Sequence, residues 1–234
     1  MKGNLYLIPT TLGEQSPTDV IPAKVLGIAA QLRHFIVENT RTARRFLRTI
    51  DSTFPIDDCS FVELNEHTDI TTIGHYLDAC NRGEHIGLMS EAGVPAVADP
   101  GSVIVAMAHY QQIRVIPLSG PSSIILSLMA SGLNGQNFAF NGYLPVKPTE
   151  RIKAIHNYEK RSLHEHQTQL FIEAPYRNMA LFDDFLHNLH PNTRLCIAAD
   201  ITLETEFIRT LAIRDWVKQK PELHKRPAIF AILA

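Results

Sequence analysis

The sequence predicts an α/β protein of two domains, residues 1–117 with a mostly parallel sheet and residues 118–234 with a mixed one. Two observations predict the first domain. Short, largely apolar runs (LYLIP from Leu5, RHFIV from Arg33, HIGLM from His85) read as buried strands, and helix-like stretches alternate with them over about 115 residues. The third observation is a change of texture. Beyond Leu133-Asn134-Gly135 strand-like runs adjoin one another with fewer crossover helices, so the second sheet is expected to be mixed.

In chain order, Leu5–Pro9 is the first strand and Thr10-Thr11-Leu12-Gly13 a polar loop at its end. A helix is expected from about Ser16 to Leu32, with Pro22 in its first turns, followed by a strand over Arg33–Val37. Thr40 is placed to cap a helix on which Arg41, Arg44, Arg45 and Arg48 fall at i, i+3, i+4 and i+7 and share one face. Cys59–Leu64 reads as a strand, and Asp69–Arg82 as a helix through Ile70, Ile73, Leu77 and Cys80, with Gly83 as its stop. After the strand at Gly87 come a helix over Ser102–Gln112, a strand over Arg114–Leu118 and a small helix over Pro121–Ala130. The remainder reads as strands at Phe138–Leu144, Gln169–Ile172, Arg194–Ala199, Glu206–Leu211 and Pro227–Leu233, with helices at Thr149–Leu163 and Tyr176–Leu189.

Composition narrows the possible classes. A chain of 234 residues, 45% hydrophobic, can bury a substantial core. No apolar run approaches the ~20 residues of a membrane span, and the start, NLYLIPT, is strand-like and lacks the charged and apolar regions of a signal peptide. A cytoplasmic protein without a membrane partner is expected. Cys59, Cys80 and Cys196 lie far apart with no CxxC pair, which fits reduced structural thiols and gives no metal site. With 22 basic against 24 acidic residues there is no global attraction to nucleic acid, only local patches.

Two loops stand out. Ser90-Glu91-Ala92-Gly93 opens a stretch of glycines and prolines running to Gly101, and Ser119-Gly120-Pro121-Ser122-Ser123 repeats the theme after the next strand. Glycine lets a ligand approach the backbone, proline stiffens the turn, and open α/β sheets bind ligands at such strand ends.

In order and spacing, LYLIPTTLG (5–13), ENTR (38–41), NEH (65–67), SEAGVPAVADPG (90–101), VIPLSGPSS (115–123), SGL (131–133), FNGYLP (140–145) and EAPYR (173–177) resemble the tetrapyrrole methylase superfamily of S-adenosylmethionine (SAM)-dependent methyltransferases. The nearest branch is that of ribosomal RNA small subunit methyltransferase I. The resemblance implies two α/β domains, a cleft between them that holds SAM, and a homodimer. It also implies a SAM pocket lined by Pro9, Glu91, Ala92, Gly93, Val94, Ser122, Ser123, Ile124, Glu173, Ala174, Ala199, Pro227 and Ala228.

This sequence departs from that branch at several motifs. Glu91-Ala92-Gly93 stands where the branch has Asp-Ala-Gly, Asn39 where it has Asp, Asn65 where it has His, and Asp200-Ile201-Thr202-Leu203 where it commonly has Glu-Leu-Thr-Lys. Beyond the last strand, the extra C-terminal segment of many rRNA-modifying members is not expected.

For an rRNA-methylating member the expected acceptor is a ribose 2′-hydroxyl, whose high pKa calls for a base. Glu38, Glu66 and His67, each following a predicted strand, are the candidates. Arg41, Arg44, Arg45 and Arg48 would grip RNA phosphates, although a solvated helix face accounts for the same stripe. Two alternatives stay open: a C-methyltransferase acting on a tetrapyrrole ring, and a member of the fold that binds SAM or RNA without turnover.

Overall fold

In the computed structural model, which describes residues 1–234 apart from the side chain of Ile70, five strands form a wholly parallel first sheet. They are β1 (Asn4–Ile8), β2 (His34–Val37), β3 (Ser60–Glu63), β4 (Ile86–Met89) and β5 (Arg114–Pro117), in the order β3-β2-β4-β1-β5. The crossover helices are α1 (Ala23–Gln31), α2 (Thr40–Ile50), α3 (Asp78–Asn81) and α4 (Ser102–Tyr110).

Successive residues of each strand point to opposite faces. Leu5, Ile36, Ile86 and Leu88 pack with Leu77, Ile104 and Ala108 on one face, and Ile8, Phe35, Val37 and Met89 with Ala29, Ala43 and Leu47 on the other. This two-sided burial explains why the strands read as continuous apolar runs. The chain leaves β1 toward β2 and leaves β4 toward β5, in opposite directions across adjacent strands. That is a topological switch point, with a crevice beyond the strand ends.

Three helices differ from the sequence expectation. Pro22 lies just ahead of α1, and the polar stretch before it closes only a 3-10 turn over Pro17–Asp19. Asn39, not Thr40, caps α2, its Oδ1 accepting from the N–H groups of Arg41 (2.9 Å) and Thr42 (3.2 Å). The expected helix over Asp69–Arg82 is broken into a 3-10 segment, Ile70–His75, and the short α3. Thr71, Thr72 and Gly74 are weak helix formers, and Asp69 turns its carboxylate onto the Thr71 N–H. The side-chain contribution expected of Ile70 lies outside the described residues.

The chain divides into two units, Met1–Ser122 and Ser123–Ala234. Leu118 belongs to the first: its N–H donates to Leu7 O at 3.1 Å and its side chain packs beside Ile21, Val25 and Leu26. The second unit begins with α5 (Ser123–Ser131) and carries β6 (Phe138–Tyr143), α6 (Pro148–Glu165), β7 (Thr168–Ile172), α7 (Asn178–Asn188), β8 (Arg194–Ala199), β9 (Phe207–Ala212), α8 (Ile213–Trp216) and β10 (Ala228–Leu233). Its sheet, β6-β7-β10-β8-β9, is mixed: β6 and β7 are parallel and the other pairs antiparallel. Phe171, Phe182, Phe185, Trp216 and Phe230 fill its core, and the Trp216 indole N–H donates to Leu195 O at 2.9 Å. A Pro145-Val146 corner is held by the largely buried Arg151, which also pairs with Asp184 at 2.5 Å.

The turn after β5 is fixed by contact with β1. A Cβ at Gly120 would lie 2.2 Å from Pro9 Cβ and 2.3 Å from its Cγ, and a proline ring cannot turn aside. Gly120→Ala is therefore expected to destabilise the fold by roughly 1–3 kcal/mol, the usual range for overpacking. Denaturant unfolding measures this, and an unchanged midpoint would show that the turn yields.

Candidate active site at the carboxyl ends of the parallel strands

A cavity of about 330 Å³ opens beyond the carboxyl ends of β1, β2 and β4. The strand ends supply Thr10 and Thr11, then Val37 and Glu38, then Met89, Ser90 and Glu91. Helix α2 closes one side with Thr42, Arg45, Phe46 and Thr49, which its pitch sets on one face at i, i+3, i+4 and i+7.

The strand ends are tied to one another. Glu38 Oε1 accepts from the Glu91 N–H at 3.0 Å, joining β2 to the loop after β4. The Thr42 hydroxyl donates to Glu91 Oε1, joining that loop to α2. Thr10 N–H donates to Gly93 O at 2.9 Å, and Thr10 Oγ1 to Ser90 O at 3.3 Å, which brings in β1. Gly93 has φ +76°, and a side chain there would press on Leu12 Cδ2 (3.1 Å) and Pro121 O (3.3 Å). Only glycine suits both the conformation and the space.

Electrostatically the edge is acidic. Burial raises the Glu38 pKa above the ordinary carboxylate value; the Glu91 N–H bond opposes this, and the charges of Asp99 and Glu91 add to the rise. Burial likewise raises Asp99, against the N–H bonds of Gly101 and Ala96. Asp99 Oδ1 accepts from Gly101 N–H (2.7 Å), and both its oxygens receive Ala96 N–H (2.8 and 2.9 Å). The clasp spans two alanines in the left-handed region, Ala96 (φ 64°) and Ala98 (φ 62°).

The candidate residues fall into three groups. Glu38 and Glu91 line the cavity, with Arg45. Pro9 is buried with its ring against Gly120, Gly93 is buried in the loop, and Ala92 and Val94 flank it. Glu66 and His67 do not join the cavity lining: they sit in the Asn65–Thr68 turn after the edge strand β3, their side chains 86% exposed and 3.6 Å from each other. The Asn65 carboxamide accepts the His67 N–H and shapes that turn outward.

The arginine stripe divides as well. Arg44 pairs with Asp57 at 3.1 Å and Arg48 donates to Ser52 O at 3.2 Å, whereas Arg41 and Arg45 make no side-chain hydrogen bond or ion pair among the described residues. Ser122 ends the first unit, and Ser123 and Ile124 open α5 in the second. In that second unit Glu173, 3% exposed, accepts from Ala174 N–H (2.6 Å) and from Arg177 Nε (3.0 Å) and Nη2 (2.5 Å). Ala199 and Ala228 face each other across β8 and β10, their side chains in the core, beside Pro227, whose carbonyl accepts from Asp200 N–H at 2.9 Å. Sequence reasoning missed Asp99 and Thr42. Asp99 lies two residues before Gly101 in a Pro-rich loop, which hints at a turn clasp, but nothing local marks Thr42.

The fold is that of a known class of methyltransferases. The crystal structure of the methyltransferase CobJ aligns with a TM-score of 0.65 over 99% of this chain and 94% of that one, at 13% identity. That of uroporphyrin-III-C-methyltransferase from Thermus thermophilus gives 0.58 over 100% and 93%, at 17%. No protein-family model matches. Among curated proteins the chain is 31% identical over 209 residues to ribosomal RNA small subunit methyltransferase I of Halalkalibacterium halodurans, covering 89% of this chain and 68% of that protein. The protein of the same name from Xylella fastidiosa is 31% identical over 213 residues, 90% of this chain and 73% of its own length. The chain belongs to the ribosomal RNA small subunit methyltransferase I family.

The Asp99 clasp makes a testable claim about the loop. Asp99→Ala leaves two backbone N–H groups without their acceptor and should cost about 1–3 kcal/mol in unfolding free energy. Ala96→Gly should be neutral or stabilising, against the usual loss of roughly 0.5–1 kcal/mol for glycine, because it relieves a left-handed alanine. Thermal melts of both variants decide; a marked loss from Ala96→Gly would contradict the strained geometry.

Proposed function

We propose that this protein methylates a ribose 2′-hydroxyl of small-subunit ribosomal RNA, with SAM as donor and Glu38 as the base. The observation that carries the reading is the 31% identity, over about nine-tenths of the chain, to proteins named ribosomal RNA small subunit methyltransferase I. The likeness to the two solved methyltransferases supports the fold alone.

The residues present suit the donor. Its sulfonium and ammonium groups are cationic, and the strand edge offers the carboxylates of Glu38, Glu91 and Asp99, with the close backbone of Gly93 beside them. Pro9, Ala92, Val94 and Ser122 complete the cofactor contacts that the reading assigns to the first unit. In the second unit Glu173 holds Arg177 and the Ala174 N–H. When bound, SAM supplies a methyl group on a sulfonium, whose departure to an oxygen nucleophile leaves a neutral thioether.

What the protein adds is alignment and a destination for the proton. Glu38 Oε1 is held by the Glu91 N–H, and Oε2 accepts no hydrogen bond among the described residues. That second oxygen takes the hydroxyl proton as the ribose oxygen bonds to the methyl carbon. Burial, and after it the like charges of Asp99 and Glu91, make Glu38 a stronger base than an ordinary carboxylate. Glu66 and His67, exposed beyond β3, and Arg41 and Arg45, whose side chains make no hydrogen bond or ion pair among the described residues, belong to the RNA-facing surface. The reading includes a homodimer, carried by the family resemblance, and a cytoplasmic location, which suits an rRNA substrate.

Glu38→Gln should lower kcat by roughly 10²–10⁴, the usual contribution of a positioned base. In the wild type kcat/KM should fall as pH drops through a value above the ordinary carboxylate range, because the raised pKa leaves Glu38 protonated there. The variant should lose that limb. Stability moves the other way. A carboxylate whose pKa is raised on folding stabilises the fold below its unfolded pKa and loses this as pH rises through the folded value, so Glu38→Gln should melt higher than wild type at neutral pH and alike at acid pH. Full methyl transfer by the variant would remove Glu38 from the mechanism.

A further inference from the structure

We propose that Ser60, His34 and Glu84 form a second reactive site, a serine nucleophile with its base and an orienting carboxylate, which hydrolyses small carboxylic esters. The site lies at the amino ends of β2, β3 and β4, the opposite end of the parallel sheet from the cavity beside α2, and takes no part in methyl transfer.

The register of the sheet builds it. His34 opens β2 and pairs with Ser60, which opens β3, and with Ile86, which opens β4. His34 Nδ1 lies 2.7 Å from Ser60 Oγ, and His34 Nε2 lies 3.1 Å from Glu84 Oε2. The backbone that carries Glu84 is fixed by the end of α3: Glu84 N–H donates to Ala79 O at 3.0 Å and Gly83 N–H to Cys80 O at 3.1 Å, with Gly83 at φ +96°. Arg82 Nη2 holds the same Glu84 oxygen at 3.2 Å.

The chemistry of the three groups fixes their roles. A carboxylate only accepts, so Glu84 keeps the proton of the neutral imidazole on Nε2. Nδ1 is then an acceptor, and the Ser60 hydroxyl donates to it. Nucleophile, base and orienting group in hydrogen-bond sequence mark an activated serine. The ring is turned the other way from the serine-protease arrangement, in which Nε2 faces the serine, but the order of roles is the same.

Ser60 and His34 both line a cavity of about 240 Å³. That is below the roughly 300–1,000 Å³ of drug-sized ligand sites, which limits the substrate to a small ester. Val62, Ala79 and the Tyr76 ring offer a surface for a short acyl chain, and Arg82 brings a guanidinium to the space where charge develops on the carbonyl oxygen. Ser60 is exposed, so a substrate can reach it.

In the reaction Ser60 Oγ bonds to the carbonyl carbon and its proton passes to His34 Nδ1. The ester C–O bond breaks, and the departing alkoxide takes that proton, leaving acyl-Ser60. Water then bonds to the acyl carbon and gives a proton to Nδ1, and the Ser60 oxygen leaves and recovers it. Ester and water become acid and alcohol, while the Nε2 proton stays beside Glu84.

A fluorophosphonate and p-nitrophenyl acetate, applied to the whole chain, test this. The fluorophosphonate should label Ser60, located by peptide mass spectrometry, and the acetate should be hydrolysed through acetyl-Ser60. Ser60→Ala should lose both. His34→Gln should slow hydrolysis by about 10²-fold or more, the usual contribution of a positioned base. Glu84 is a positioning residue, its side chain meeting His34 and Arg82. Glu84→Gln should lower kcat at least about tenfold with KM and thermal melt unchanged, a split that loss of structure would not give. Wild-type protein without label on Ser60 overturns the proposal. So does hydrolysis by Ser60→Ala at the wild-type rate, and so does an unchanged kcat for Glu84→Gln. The labelling needs neither SAM nor RNA, so its outcome is separate from that of the proposed function.

Discussion

The Glu91 N–H bond to the Glu38 carboxylate holds together the part of the molecule where chemistry is expected. Without it, the end of β2 and the loop after β4 would be neighbours joined only by their strands. With it, Glu91 is also positioned to reach the Thr42 hydroxyl on α2, and the same loop receives the Thr10 N–H from β1 through Gly93 O. Three strand ends and one helix are thereby cross-tied around a single cavity. Asp99 stiffens the far side of the loop by clasping the Ala96 and Gly101 N–H groups.

This bracing has an electrostatic cost. Glu38, Glu91 and Asp99 lie close enough that the charges of Glu91 and Asp99 both raise Glu38, while burial raises Glu38 and Asp99 alike. A fold optimised for stability alone would not cluster carboxylates in this way. The arrangement makes sense if the cluster faces a cationic donor and one of its members must take up a proton. Asn39 fits the same logic: an Asn caps α2 as well as an Asp would, without adding a fourth negative charge beside Glu38.

Much of the fold was legible because the parallel sheet is buried on both faces, which gives β1, β2 and β4 unbroken apolar runs. Helix ends were less legible. Asn39 and Thr40 are both capping types, and only the backbone geometry decides between them. Threonines and Gly74 broke a segment whose apolar spacing looked helical. Four-residue α8 is too short to show any period.

In the site, Glu38 and Glu91 could be read from their places at strand ends. Glu66 and His67 occupied an equivalent place in the sequence, but β3 is an edge strand and the Asn65 turn directs them to solvent. The Glu91–Thr42 contact joins residues far apart in sequence, and the left-handed Ala96 and Ala98 carry no local signal, because alanine is not a turn residue. The most direct measurement of the account is the chemical identity of the methylated product. Small ribosomal subunits lacking the modification, incubated with this protein and labelled SAM and then digested to nucleosides, should carry the label in one 2′-O-methylated nucleoside. Label on a base, or no label in the RNA, would contradict it.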